Sequence, residues 1–576
     1  MQGMVQYIHH TEQSRGIEVK DLSFKYRNSP EFALKNLTLN VNPGEFIVFM
    51  GQTGAGKSTL AKCLTSIIPK FQKGNFSGEI KIFGKNIKDN YVYETAENIG
   101  LLLQDFEIQL FSTNVTLEVA FGPENFALPR EEIEKRVKQS LSMVGLNGFE
   151  TRDPATLSGG EKQRLALASI LSLQPKILIL DEPSTDLDPK GKRELFELVK
   201  LLIKQEFTVI VIEHETEELF NANRVVVLNQ GKIITQGEPE KIFSNTKVLE
   251  DNGIRPPQVF DLFRKLNLDY FPSSVEEAYT ILRRNSYQIS ENRYNSLLER
   301  ESSQRNKYQK VLIETKNSGF VYPDGKQVLK GINLQIREGE FLAIVGENGS
   351  GKTTLVKQFN GLLKPSEGEI FYQNTNIRKL KIVKLARDIG YVFQNPDNQI
   401  FSSTVKEEVS FGLKNLYPQE TETEQKVKKV LEDVHLQGYE EKDPFILTKG
   451  EKQRLAVASV LVTEPKVIIL DEPTTGLDYG ELQSLMHLLK ELNQRGHTII
   501  MVTHTMWLVA EYAYRVVILK KGGIIFDGTP RELFEQENLE NYGLQTPPLI
   551  QLSKHFSKVL LSVEEVLSSL VTNKHE

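Results

Sequence analysis

Two short stretches of this 576-residue chain carry residue types at a spacing suited to phosphate chemistry. Gly51-Gln52-Thr53-Gly54-Ala55-Gly56-Lys57-Ser58 and Gly346-Glu347-Asn348-Gly349-Ser350-Gly351-Lys352-Thr353 both fit G-x-x-x-x-G-K-[ST]. In such a loop backbone N–H groups cradle a nucleotide's phosphates, and glycines let the chain approach closely or adopt positive φ. Lys57 and Lys352 are spaced to reach the β/γ-phosphates, and Ser58 and Thr353 to offer a hydroxyl to Mg²⁺. Thr59 and Thr354 follow directly and complete the two binding stretches. Each loop follows an apolar run (Phe46 to Met50, Phe341 to Val345) and precedes a helix-compatible run, so a helix N-terminus is aimed at the anion. Two matches in context imply two nucleoside triphosphate sites.

Further polar residues recur in the same order after each loop. Gln104 and Gln394 end apolar runs, where a glutamine can reach Mg²⁺ or an attacking water. Ile177 to Leu180 and Val467 to Leu470 read as buried parallel strands closed by Asp181-Glu182-Pro183 and Asp471-Glu472-Pro473. The aspartates are placed to hold Mg²⁺, and the adjacent glutamates to polarise the attacking water. His214 and His504 end two more apolar strands, where a histidine can sense the γ-phosphate. Tyr26 and Tyr322 precede the loops and read either as platforms for an adenine ring or as half-buried strand residues. Ser158-Gly159-Gly160-Glu161 opens an amphipathic helix. It is either a plain N-cap or an anion site serving a nucleotide other than the one at its own half's loop. Its counterpart is Thr448-Lys449-Gly450-Glu451.

The elements that must position these residues alternate between strand and helix, an α/β pattern. A charged helical stretch (Arg130 to Val144, Glu420 to Val434) is inserted in each half. The landmarks repeat at an offset of about 290 residues, which marks an internal duplication. Each half ends in a helix-periodic run (Val259, Phe263, Leu266; Leu552, Phe556, Val559) that reads as a small helical appendage. The expected organisation is a tail over 1–16, a first domain over 17–250, a first appendage over 251–285 and a polar linker over 286–310. A second domain over 311–540 and a second appendage over 541–576 complete the chain. The net charge of −6 and the 25% of charged residues give no global pull towards nucleic acid. The single Cys63 rules out an intrachain disulfide and fits a reducing cytoplasm; it and Trp507 read as packing residues. No apolar run reaches about 18 residues, so a membrane role needs a separate partner.

Phosphate loop, glutamine, Leu-Ser-Gly-Gly-Glu turn, Asp-Glu-Pro and histidine, in that order, resemble the ATP-binding-cassette (ABC) ATPases across essentially the whole chain. The resemblance implies two tandem P-loop ABC nucleotide-binding domains, each α/β with an inserted helical subdomain and a C-terminal helical appendage. It implies ATP and Mg²⁺ as ligands and a head-to-tail sandwich. There each ATP lies between one half's phosphate loop and the other half's signature turn, formed by Ser158, Gly159 and Gly160 or by Thr448 and Gly450. A narrower resemblance rests on Gln104-Asp-Phe-Glu-Ile-Gln-Leu-Phe-Ser112 with Val119-Ala-Phe-Gly122, and on Gln394-Asn-Pro-Asp-Asn-Gln-Ile-Phe-Ser402 with Val409-Ser-Phe-Gly412. These look like energy-coupling-factor (ECF) transporter ATPases of the cobalt- and vitamin-import type. That resemblance implies a multi-span membrane scaffold subunit docking a coupling helix here, a small membrane substrate-binding subunit and no nucleic acid. It further implies one fused pseudo-dimer per transporter, peripheral on the cytoplasmic face of the membrane. A soluble twin cassette acting on ribosome or DNA, and a sugar-importer twin ATPase, are the alternatives. Vitamin, vitamin precursor and transition metal ion are not separable as cargo.

The second signature departs from the family pattern at Lys449, which adds bulk, charge and a preference against positive φ. By the head-to-tail rule that turn faces Lys57, Asp181, Glu182 and His214, so unequal sites are expected. The Lys352/Glu472 site should hydrolyse well, and the Lys57/Glu182 site should be slower or mainly bind. A solvent-pointing lysine tolerated without effect is the alternative.

Overall fold

The apolar runs before the phosphate loops become the central strands of two six-stranded sheets in the computed structural model of the chain. The structure describes residues 16–572 except 28, 186, 217, 218, 269, 306 and 475, so the expected tail lies outside the described residues but for Gly16. By internal contacts the chain forms two units, 1–186 with 193–254, and 187–192 with 255–576.

In the first unit the sheet runs Lys232–Gly237, Arg224–Asn229, Phe46–Met50, Thr208–Ile212, Ile177–Asp181, Ile99–Leu102. All neighbours are parallel except the first pair. The strands Phe46–Met50, Ile177–Asp181 and Thr208–Ile212 are buried at every position, which is why they read as continuous apolar runs with no alternation. A four-stranded antiparallel sheet, Leu34–Val41, Ile17–Tyr26, Gly74–Ile82, Lys85–Asn86, shares its core through Ile17, Phe24, Phe49 and Ile179. The inserted helices are Val115–Asn125, Arg130–Met143 and Gly159–Leu171.

The second unit repeats the plan. Its six-stranded sheet runs Ile389–Val392, Val467–Asp471, Thr498–Val502, Phe341–Val345, Arg515–Lys520, Gly523–Gly528. Its antiparallel sheet runs Gln327–Arg337, Val311–Val321, Glu367–Tyr372, Thr375–Asn376, and the inserted helices are Val405–Leu416, Thr423–Asp433 and Lys449–Leu461. The second expected appendage and the first from Arg255 onward lie in this unit and share one core. Val259, Phe263 and Leu282 from the first pack with Leu552, Leu560 and Val566 from the second. The polar stretch after Ser286 is ordered by the same core. Tyr287–Ile289 pairs antiparallel with Leu570–Thr572, and the helix Glu291–Arg305 buries Tyr294. Buried Arg531 ties that helix and the appendage to the cassette, donating to Glu301 (2.7 Å) and Glu565 (3.0 Å). Trp507 carries the Arg255 guanidinium 3.8 Å from its ring centroid, and Cys63 is fully buried. Among the described residues no helix is long and apolar enough to cross a membrane.

Candidate functional site

In each unit the predicted polar residues emerge from the C-terminal ends of adjacent parallel strands, where an open α/β sheet binds its ligands. The loop after Met50 turns through Gly51 at φ +146° and Gly56 at φ +103°. A Cβ on Gly51 would lie 2.1 Å from the Leu228 carbonyl oxygen, so that position requires glycine both for space and for φ. Gly346 repeats this against the Leu519 carbonyl, at φ +147° and 2.2 Å. The loops lead into the helices Lys57–Leu64 and Lys352–Phe359.

Both lysines are buried and turned back into their loops. Lys57 Nζ donates to the carbonyls of Gly51 (2.7 Å) and Gln52 (3.0 Å). Lys352 Nζ donates to those of Gly346 (2.8 Å) and Glu347 (3.1 Å). Burial holds the Lys352 ammonium below the usual lysine range, opposed by the nearby Glu472 and Asp471 carboxylates. Tyr26 Oη lies 3.1 Å from Thr59 Oγ1, and Tyr322 Oη 3.1 Å from Thr354 Oγ1, so each tyrosine is hydrogen-bonded to the helix that its phosphate loop enters.

The hydroxyls and aspartates meet in both units. Ser58 Oγ donates to Asp181 Oδ1 (3.1 Å), and Thr353 Oγ1 to Asp471 Oδ1 (3.1 Å). Hydroxyl plus carboxylate is an all-oxygen set that fits Mg²⁺, which prefers one or two protein carboxylates and completes its octahedron with water and substrate phosphates. Among the described residues there is no cluster of three His, Cys, Asp or Glu side chains that could cage a metal unaided. Burial, then the neighbouring Glu182 charge, pushes the Asp181 carboxyl up to about 6. Burial also raises that of Asp471, where hydrogen bonds from Tyr391 and Thr353 work against the rise.

The next residue in each chain segment, Glu182 and Glu472, sits at φ +49°. A non-glycine residue in the left-handed region is strained, and such strain concentrates at functional positions. Here the backbone is pinned: Glu182 N donates to Ile212 O (3.0 Å) and Glu472 N to Val502 O (2.9 Å). The turn directs each carboxylate to the histidine at the end of the next strand. His214 Nε2 lies 2.8 Å from Glu182 Oε1, and His504 Nδ1 lies 3.0 Å from Glu472 Oε2. Burial pushes the Glu472 carboxyl up, but His504 and Lys352 outweigh it and hold the group below the usual range. The glutamines differ. Gln104 Nε2 donates to Glu182 Oε2 at 2.6 Å, whereas among the described residues Gln394 makes no matching bond to Glu472.

The two signature turns are built alike, which corrects the expectation that Lys449 is disfavoured by its backbone. Ser158 and Thr448 cap the helices Gly159–Leu171 and Lys449–Leu461, and Glu161 and Glu451 return the bond to each cap's N–H (2.7 and 2.8 Å). Gly159 and Lys449 are the first helical residues, and neither they nor Gly160 and Gly450 have positive φ. A Cβ on Gly159 would meet nothing within 4 Å. The constraint falls one residue later. A Cβ on Gly450 would lie 2.1 Å from the Glu481 carboxylate, which Arg454 Nη1 holds at 3.0 Å. The Lys449 stem lies over Gly476, whose missing Cβ would stand 2.5 Å from Lys449 Cδ. The first half has Gly191 and Asp186 where the second has Glu481 and Gly476.

Sequence reasoning missed two buried carboxylates. Glu118 Oε2 accepts the N–H groups of Phe111 (3.0 Å) and Ser112 (2.7 Å), and Glu408 Oε2 those of Phe401 (3.0 Å) and Ser402 (2.9 Å). They hold out the aromatic pairs Phe111–Phe121 and Phe401–Phe411, ring centroids 4.6 and 4.7 Å apart, with all four rings exposed. The signal was present: both glutamates directly precede the matched Val-x-Phe-Gly segments.

The sequence profile described as ABC transporter matches residues 34–185 and again 329–475. The chain therefore belongs to the ABC transporter family, as an ATPase with two tandem cassettes. It is 47% identical over 564 residues, 97% of its length and 99% of the relative's, to a provisionally named ABC transporter ATP-binding protein of Caldanaerobacter subterraneus subsp. tengcongensis. A similarly named protein of Methanosarcina acetivorans is 40% identical over 96% of this chain and 92% of its own. The solved structure of cbiO1 from Clostridium perfringens, described as part of the ABC transporter complex cbiONQ, aligns with 43% of this chain and 100% of its own at 41% identity, with a TM-score of 0.38.

Proposed function

We propose that this chain is the ATP-hydrolysing, energy-coupling subunit of an ECF-type importer for a vitamin, vitamin precursor or transition metal ion. In this reading the loops Gly51–Ser58 and Gly346–Thr353 bind the phosphates of two ATP molecules through backbone N–H groups, with Lys57 and Lys352 balancing their charge. Ser58 with Asp181, and Thr353 with Asp471, hold Mg²⁺, which neutralises charge developing on the phosphates. Glu182 and Glu472 accept a proton from the attacking water. His214 and His504 orient those carboxylates, and Gln104 and Gln394 link each site to the loop that follows. The signature turns at Ser158 and Thr448 each complete the site of the opposite half.

The observation that carries the transport reading is the doubled aromatic pair. Phe111 and Phe121 are 61% and 46% exposed, and Phe401 and Phe411 57% and 48%. In each pair the first ring (Phe111, Phe401) sits a few residues beyond its glutamine on a loop locked by a buried glutamate, and the second (Phe121, Phe411) on the helix that carries that glutamate. Exposed aromatic surface at a matched place in both halves suits an apolar partner helix. A peripheral position on the cytoplasmic face, one chain per transporter, follows from that reading. The test is purification of the tagged chain from detergent-solubilised native membranes, beside the F121A/F411A double variant. The reading expects one multi-span protein and one small hydrophobic protein to accompany the wild type, and the variant to lose both while still binding ATP. Recovery of ribosomes or DNA-repair proteins from the soluble fraction, with nothing from the membrane, would overturn it.

A further inference from the structure

Asp471 and Asp181 occupy equivalent places, yet their surroundings differ by one hydroxyl. Asp471 is almost fully buried at the end of the strand Val467–Asp471, which pairs in parallel with Ile389–Val392 in the register Tyr391 to Ile469 and Val392 to Leu470. Tyr391 Oη donates to Asp471 Oδ2 at 2.7 Å, and Thr353 Oγ1 donates to Oδ1 at 3.1 Å, so both carboxylate oxygens are held. The Tyr391 ring is itself fixed: the residue is 8% exposed and meets Phe393 edge to face at 4.9 Å. At the matching place in the first unit stands Leu101, which has no donor to offer. There Ser58 reaches Asp181 Oδ1 at 3.1 Å, and the strand Ile99–Leu102 supplies only apolar side chains beside the carboxylate.

We infer that Tyr391 is a positioning residue for the metal-holding carboxylate of the second ATP site, and that the first site lacks this device. A buried phenol bonded to one oxygen fixes the carboxylate's rotation about its Cβ–Cγ bond and leaves the Thr353 side facing the phosphate loop. Partners of this outer kind orient a metal's ligands, and their loss commonly weakens metal binding by about 10- to 100-fold. Leu101 offers no second anchor, so Asp181 is oriented by the Ser58 bond at one oxygen and the first site takes up its metal at a higher concentration. The inference rests on the ATP-site reading above.

The test uses the full chain carrying K57A, which silences the first nucleotide site, with and without Y391F. Mn²⁺ bound in the presence of ATP is followed by electron paramagnetic resonance, and ATP affinity without metal is measured alongside. The expected result is a rise of about tenfold in half-saturating Mn²⁺ in Y391F, with the metal-free ATP affinity unchanged. An unchanged half-saturation while ATP still binds would overturn this inference alone. An equal fall in metal-free ATP affinity would also overturn it, because the hydroxyl would then support the site's fold and not the metal's ligand. Failure of the K57A chain to bind ATP with Mn²⁺ at all would sink the ATP-site reading itself.

Discussion

The first and second cassettes place the same groups on the same strand ends, and they differ around the two glutamates and their partners. In the first, Glu182 is held at both carboxylate oxygens, by Gln104 and by His214. In the second, Glu472 faces His504, while the firm hold has moved one residue back, to Asp471 between Tyr391 and Thr353. The signature turns differ in what lies against them and not in shape: open space beside Gly159, but Gly476 and the Glu481 carboxylate beside Lys449 and Gly450. A duplicated fold thus keeps its backbone geometry while contacts made by single side chains drift apart. On the proposed function, those contacts are where two ATP sites of the same plan would come to differ in rate.

The largest expected effect concerns a residue with no equivalent in the first half. Arg531 is buried between Glu301 and Glu565, whereas the matching Glu240 is exposed. R531A leaves two carboxylates without their cation and should lower unfolding stability by about 3 kcal/mol, read from urea denaturation of the second unit's signal. E240A should change it by less than about 0.5 kcal/mol. Comparable losses from both would mean that the two C-terminal junctions are held alike.

The next effect addresses the chemistry. E472Q should lower steady-state ATP hydrolysis at least about tenfold, and E182Q no more than about threefold, if the reading proposed above holds and the Lys352/Glu472 site carries most turnover. Equal losses would remove the asymmetry. A smaller change sharpens its cause. In an E472Q background, K449G should raise the remaining hydrolysis about threefold, since it removes bulk and charge from a turn whose backbone already has the right shape. No change would show that the lysine lying over Gly476 is tolerated, and the reason for inequality would pass to Leu101 and Gln104.

Much of the site was legible because phosphate chemistry demands particular types at fixed spacing. Lys57, Ser58, Asp181 and Glu182 could be named from their motifs, and the parallel sheet brings strand ends together without further information. Three features were not legible. The Tyr391–Asp471 bond joins residues 80 positions apart and has no counterpart in the other half, so neither motif nor repeat exposed it. The identity of a glycine does not reveal its reason: Gly51 needs both φ and space, Gly159 neither, and Gly450 only the room occupied by the Glu481 side chain. Finally, the polar stretch after Ser286 read as a linker because its order comes from a strand partner nearly 300 residues away, at Leu570–Thr572.

The central claim is that one chain holds two ATP sites of unequal rate. Its most direct test is single-turnover hydrolysis by the wild-type chain loaded with two ATP molecules and started with Mg²⁺. The account predicts two phases of ADP formation with equal amplitudes, the fast one lost in E472Q and the slow one in E182Q. A single phase accounting for both nucleotides, slowed alike by either substitution, would contradict it.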